Sequence, residues 1–145
     1  MSFGGPLLIA SLSSMLGIRG GMNVSIHNPP GGFMEALLPL PEGASIIDSA
    51  KTGLDVQVLF ASKKTELVEK LSALVRGMAV NGAIWVCFPT SLELTHAPSE
   101  DFVRLAALEI GLTDTRKVML DRAWTALKLQ RKARNPRVEL PSARA

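Results

Sequence analysis

Residues 81–89 read "NGAIWVCFP", a turn-forming Asn-Gly followed by a run that is apolar on both of its alternating faces. A strand with one wet side alternates apolar and polar residues. This run therefore predicts a strand buried on both sides, as at the centre of a parallel sheet covered by helices. Cys87 lies inside it and is the only cysteine of the chain, which excludes an internal disulfide. With no basic residue beside it, the thiol is expected to pack as a small hydrophobe and not to act as a nucleophile. Trp85, in the same run, reads as core.

Upstream, residues 63–78 repeat Leu67, Leu71, Leu74, Val75 and Met78 at helical spacing, with Lys and Glu on the opposite face and Ser62 placed as the N-cap. "DVQVLFA" (55–61) and "ASIID" (44–48) predict strands. "MNVSIH" (22–27) puts Met22, Val24 and Ile26 on one face and Asn23, Ser25 and His27 on the other, the period of a half-buried strand. Its polar face is expected to meet water, an N-terminal helix or a second copy of the chain. "FMEALL" (33–38) has room for only about two helical turns, because Pro39 denies Leu38 a helical backbone. At the start, Pro6 suits the first position of an amphipathic helix over about 6–16, too polar and too short to span a membrane.

Downstream, "SEDFVRLAALEIG" (99–111) predicts a helix capped by Ser99, with Glu100 and Asp101 favoured by its dipole and Gly111 as its stop. "TDTRKVML" (113–120) and "ALKLQRK" (126–132), joined by "DRAW", read as an antiparallel pair. Beyond Lys132 no periodicity remains, and a flexible basic tail is expected over 133–145. The order of elements is α/β in one domain over 1–132, with a mainly parallel sheet and a C-terminal hairpin. Hydrophobic residues at 47% and charged residues at 20% suit such a core, and the cytoplasm is the expected compartment.

In an α/β sheet the ligand crevice lies beyond the carboxyl ends of the strands, where this chain carries "HNPPGG", "IIDS", "FASK" and "FPTS". Asn28, Gly31 and Gly32 are the candidate binding residues of the first loop. The amides at Gly31, Gly32 and Phe33 offer a small anion site, or Pro-Pro-Gly-Gly simply shapes a tight turn. Asp48 stands where nucleotide-binding folds place an acid on a ribose, or caps the following turn.

The segments "LGIRGGM", "PPGGF", "PLPEG", "DVQVLF", "GAIWVCFP", "SED", "GLTD" and "DRAWTALKLQRK" together resemble, over residues 16–132, a family of small bacterial proteins of unknown function. The order of elements is also similar to an S-adenosylmethionine-dependent methyltransferase core. The resemblance implies a trimmed, three-layer Rossmann-like fold that lacks a helix and strand of the complete one. That family tends to carry Lys after the Pro of the Trp-containing strand and Ser-Gly after the late Trp. Here Thr90 follows Pro89, and Thr125 and Ala126 follow Trp124. Against the methyltransferases the first loop departs further, since Pro29 and Pro30 lack N–H groups and fill space that glycine would leave to a cofactor.

Catalytic signals are sparse. His27 and His96, the only histidines, share no metal-ligand spacing. There is no GxSxG motif and no tyrosine, and Glu100 and Asp101 are accounted for as first-turn helix acids. Trp124 either packs at the sheet edge or offers a stacking surface beside Arg122.

The expectation is a non-catalytic binding or interaction domain without cofactor or metal, acting on a small anionic ligand or as a homodimer, away from membranes. The alternative is an enzyme that binds adenosylmethionine or a nucleotide. A third reading is nucleic-acid binding, because residues 116–145 carry a net +7 and leave −4 on the rest of the chain.

Overall fold

A computed structural model of the chain describes residues 3–4, 11–47, 52–91 and 95–132. Its elements are α1 (Leu12–Met15), β1 (Asn23–His27), α2 (Phe33–Leu37), β2 (Ser45–Ile46), β3 (Leu54–Phe60), α3 (Lys64–Gly77), β4 (Met78–Pro89), α4 (Glu100–Glu109), β5 (Leu112–Met119) and β6 (Trp124–Arg131). They build one six-stranded sheet in the order β2-β1-β3-β4-β6-β5. The first four strands run parallel, β6 pairs antiparallel with β4, and β5 closes the edge antiparallel to β6. This is the expected α/β architecture, three-layered and with its hairpin at one edge.

The strand that decided the fold is buried as its sequence demands. Trp85 and Cys87 face a cluster formed with α1, α2 and Phe3, while Ile84, Val86 and Phe88 face α3 and α4. Trp85 is fully enclosed, and its indole Nε1–H donates to the Leu16 carbonyl at 2.9 Å, fastening the end of α1 to the sheet. Burial raises the pKa of the Cys87 thiol, as does the nearby Asp121 carboxylate, so the group stays protonated.

Two local expectations are corrected. The Asn81-Gly82 pair is not a turn before the strand, because β4 already begins at Met78 and bulges between its pairings Leu54↔Met78 and Val56↔Ala83. Gly82 is needed inside that bulge: a Cβ there would stand 2.7 Å from the Leu54 carbonyl oxygen. Helix α3 starts one residue later than expected. Its N-cap is Lys63, not Ser62, whose N–H donates instead to Glu66 Oε1 at 3.0 Å.

At the N-terminus, Ser11 is extended (φ −67°, ψ 155°) and caps α1 through its hydroxyl, and α1 falls within the helix expected over 6–16, of which residues 6–10 lie outside the described residues. Pro6 lies outside the described residues. Of the polar face of β1, Asn23 and His27 stay partly exposed while Ser25 is buried and linked through Gln57 to α3. Ser25 is 1% exposed, and its hydroxyl bonds His27 Nε2 at 2.9 Å and approaches Gln57 Oε1, whose amide in turn donates to the Leu74 carbonyl of α3.

This polar seam makes stability pH-dependent. Burial lowers the His27 pKa below its ordinary 6.5, and Lys70 lowers it further. The native state thus resists a proton that the unfolded chain accepts, and stability present above about pH 6.5 is lost as pH falls through that value. Urea midpoints are expected to drop between pH 7.5 and 5.5, and His27→Gln should flatten the drop.

Candidate functional site

The first loop after β1 decides what the strand ends can hold. Asn28 adopts φ 57°, an uncommon left-handed conformation for a residue other than glycine. The two glycines are taken up by the chain's own N-terminal segment. The Phe3 N–H donates to the Gly31 carbonyl at 2.8 Å, and the Phe3 carbonyl lies 3.2 Å from where a Gly32 Cβ would be, at φ 90°. The Phe33 amide is occupied by the Pro30 carbonyl at 3.1 Å, and α2 is five residues long. Pro-Pro-Gly-Gly is therefore a turn against which Phe3 packs, through the Gly31 carbonyl and beside Gly32.

Behind the loop stands a row of edge-to-face aromatic rings. Phe3 meets Phe33 at 5.4 Å, Phe33 meets Phe60 at 4.7 Å, and Phe60 meets Trp124 at 5.0 Å. The row ends at a cavity of about 540 Å³ whose walls come from the loops following β1, β3 and β4 and from the start of β6. Asn28 and Pro30 form one side, Phe60 and Trp124 the apolar floor, and Lys63, Glu66, Thr95 and His96 the polar rim.

Trp124 is 4% exposed, so it packs into the fold and does not offer a surface ring beside Arg122. Its enclosed Nε1–H has no hydrogen-bond partner among the described residues. A buried donor left unpaired costs about 1–3 kcal/mol. Asp121, 3% exposed, holds the backbone at this residue: its carboxylate accepts from the Gly4, Ala123 and Trp124 amides at 2.7, 2.9 and 2.8 Å.

Of the residues expected from sequence, Asn28 reaches the cavity wall, and Gly31 and Gly32 are not among those lining it. Asp48 lies outside the described residues. Lys63, Thr95, His96 and Trp124 carried no motif. Their one signal was position, just past the ends of β3 and β4 or opening β6.

A second cavity of about 410 Å³ opens between α4 and the ends of β4 and β6. Thr90 and Thr125 line it and bond each other through their hydroxyls at 2.9 Å, so the two departures from the resembled family form one contact. At its rim Glu100 binds Lys117 at 2.8 Å and Arg104, and the Lys117 contact leads in lowering the Glu100 pKa. Among the described residues no group of His, Cys, Asp or Glu could hold a metal ion, and no helix is long and apolar enough to cross a membrane.

The basic segment is partly engaged inside the fold. Lys117 is paired with Glu100, Lys128 lies 6.0 Å from the centre of the Trp85 ring, and Arg131 donates to the Ala79 carbonyl at 2.7 Å. Residues 133–145 lie outside the described residues.

Residues 42–133 match the family described as protein of unknown function, DUF3052. The chain belongs to that family. No curated protein matches the sequence of this DUF3052 protein. Solved structures similar to it share the fold. A candidate type 11 methyltransferase from Sulfolobus solfataricus has a TM-score of 0.62 at 12% identity, with 86% of this chain and 91% of that one covered. A SAM-dependent methyltransferase from Aquifex aeolicus also reaches 0.62 at 11% identity, covering 83% and 88%. A candidate exported protein from Bordetella parapertussis reaches 0.59 at 14% identity; 83% of this chain is covered, but only 65% of the other. At such identities the likeness establishes a methyltransferase-like, Rossmann-like fold for this DUF3052 chain and leaves chemistry to the site.

Proposed function

We propose that the protein is a small-molecule-binding domain on a trimmed methyltransferase-like scaffold, working through the crevice at its strand ends and not through methyl transfer. One observation carries this reading. Phe3 occupies one side of the glycine pair that would have to admit a cofactor, its N–H bonded to the Gly31 carbonyl and its own carbonyl against Gly32. What stays open is the cavity beside it, with an aromatic floor and a few polar groups at the rim, the composition of a ligand pocket. A cytoplasmic site of action belongs to the same proposal, since one buried thiol gains nothing from an oxidising compartment.

Thermal unfolding tests it. A ligand at 100 times its dissociation constant adds about 2.7 kcal/mol, a shift of several degrees for a chain of this size. Adenosylmethionine, adenosylhomocysteine and AMP at 1 mM are expected to leave the midpoint unchanged. A set of small aromatic fragments should contain members that raise it. A rise with adenosylmethionine would support the enzyme reading instead, and no rise with any fragment would remove the crevice as a site.

A further inference from the structure

The geometry points to a small planar organic anion as the occupant of this crevice: a flat ring seated on Phe60 and Trp124, with a carboxylate held at the rim by Lys63 and His96. The inference rests on the binding-domain reading above and adds the ligand class.

Four observations converge. Phe60 and Trp124, 5.0 Å apart and edge to face, are nearly buried and present the cavity with a narrow aromatic surface against which a flat ring can lie. The rim residues are Ser62, Lys63, Glu66, Thr95 and His96, and the only acid among them is already engaged, with Glu66 Oε1 accepting from the Ser62 N–H. Glu66 keeps its charge, and Lys63 together with Lys64 of the adjoining wall leaves this side net positive.

Helix α3, fourteen residues long, begins at this rim without a side-chain cap, and of its first amides Lys64 N–H is taken by the His96 carbonyl at 2.9 Å. The positive end of its dipole faces the same wall that Lys63 occupies. A neighbouring cavity that shares Lys63, Thr95 and His96 adds Lys64 and Thr65 to that wall. Independently of the helix, the enclosed Trp124 Nε1–H has no acceptor among the described residues. The atom is enclosed, so a ring nitrogen or carbonyl gains this hydrogen bond when the Trp124 ring turns its edge toward the cavity. A cationic ligand such as adenosylmethionine would bring its charge to the wrong rim.

Titrations of the full chain with nicotinate and benzoate, each beside its neutral amide, decide the matter. The acids are expected to bind at least tenfold more tightly than nicotinamide and benzamide. Lys63→Glu, an exposed change at a helix cap, should keep the wild-type unfolding midpoint, lose at least tenfold in affinity for the acids and leave the amides unaffected. Trp124→Phe should weaken nicotinate more than benzoate, because only nicotinate carries a ring acceptor. Equal binding of acids and amides would overturn the anion inference while leaving the crevice a binding site. Binding of neither, with no other fragment bound, would overturn both.

Discussion

Replacing Asp121 by alanine is expected to lower the thermal midpoint by about 10 °C. The carboxylate is 3% exposed and accepts three backbone N–H groups, from Gly4, Ala123 and Trp124. Hydrogen bonds to a charged acceptor are roughly twice as strong as neutral ones, and the donors left behind lose their partner in a largely dry place. A loss on the order of 3 kcal/mol follows, with water able to recover part of it at the exposed Gly4. Asp121→Asn separates the contributions. Its oxygen can still serve the Ala123 and Trp124 amides, but its NH₂ then confronts the Gly4 N–H, so about half the loss should remain. Urea unfolding of both variants measures the difference; an alanine variant as stable as wild type would mean that the "DRAW" turn holds itself without the carboxylate.

Phe33→Ala is expected to cost about 3–5 kcal/mol, the usual range for emptying a large buried aromatic site. Phe33 is fully enclosed and stands between Phe3 and Phe60. Its loss opens a cavity beneath the first loop and removes support from the row that ends at Trp124. Phe33→Leu should cost only about 1–2 kcal/mol, because most of the volume returns. Denaturant midpoints report both values. If leucine proved as damaging as alanine, ring geometry and not volume would hold the loop.

Much of this architecture was legible because burial leaves a period in the sequence. The two-sided apolar run ending in "AIWVCFP", the helical spacing of Leu67, Leu71 and Leu74, and the Ser99 cap each specify one local solution. What escaped was set by contacts distant in sequence. Asn81-Gly82 has the composition of a turn, but the Leu54 carbonyl presses against Gly82 within a bulged strand. Ser62 has the chemistry of a cap, yet Glu66 reaches back to its amide and the helix starts later. The polar face of β1 left water, an N-terminal helix or a second copy open as its neighbour, whereas Ser25 finds Gln57 indoors, and Gln57 in turn donates to the Leu74 carbonyl.

The candidate site was legible only in its location. The carboxyl ends of the strands were the expected place, and Asn28 does reach the cavity there. That Gly31 and Gly32 serve Phe3 could not be read from the loop, because the partner lies about thirty residues away and enters through backbone atoms. Trp124 escaped for a related reason. An indole N–H is normally partnered, and only the folded chain shows this one without an acceptor while that of Trp85 is held by Leu16.

The two indole N–H groups make the most direct measurement possible in a proton–nitrogen correlation spectrum of the full chain. On adding nicotinate, the Trp124 indole signal should move and the Trp85 signal, tied to the Leu16 carbonyl, should stay. Adenosylmethionine should move neither these signals nor the amides of Gly31 and Gly32. Movement of the two glycine amides with adenosylmethionine, while Trp124 stays still under every fragment, would contradict the binding-domain reading outright.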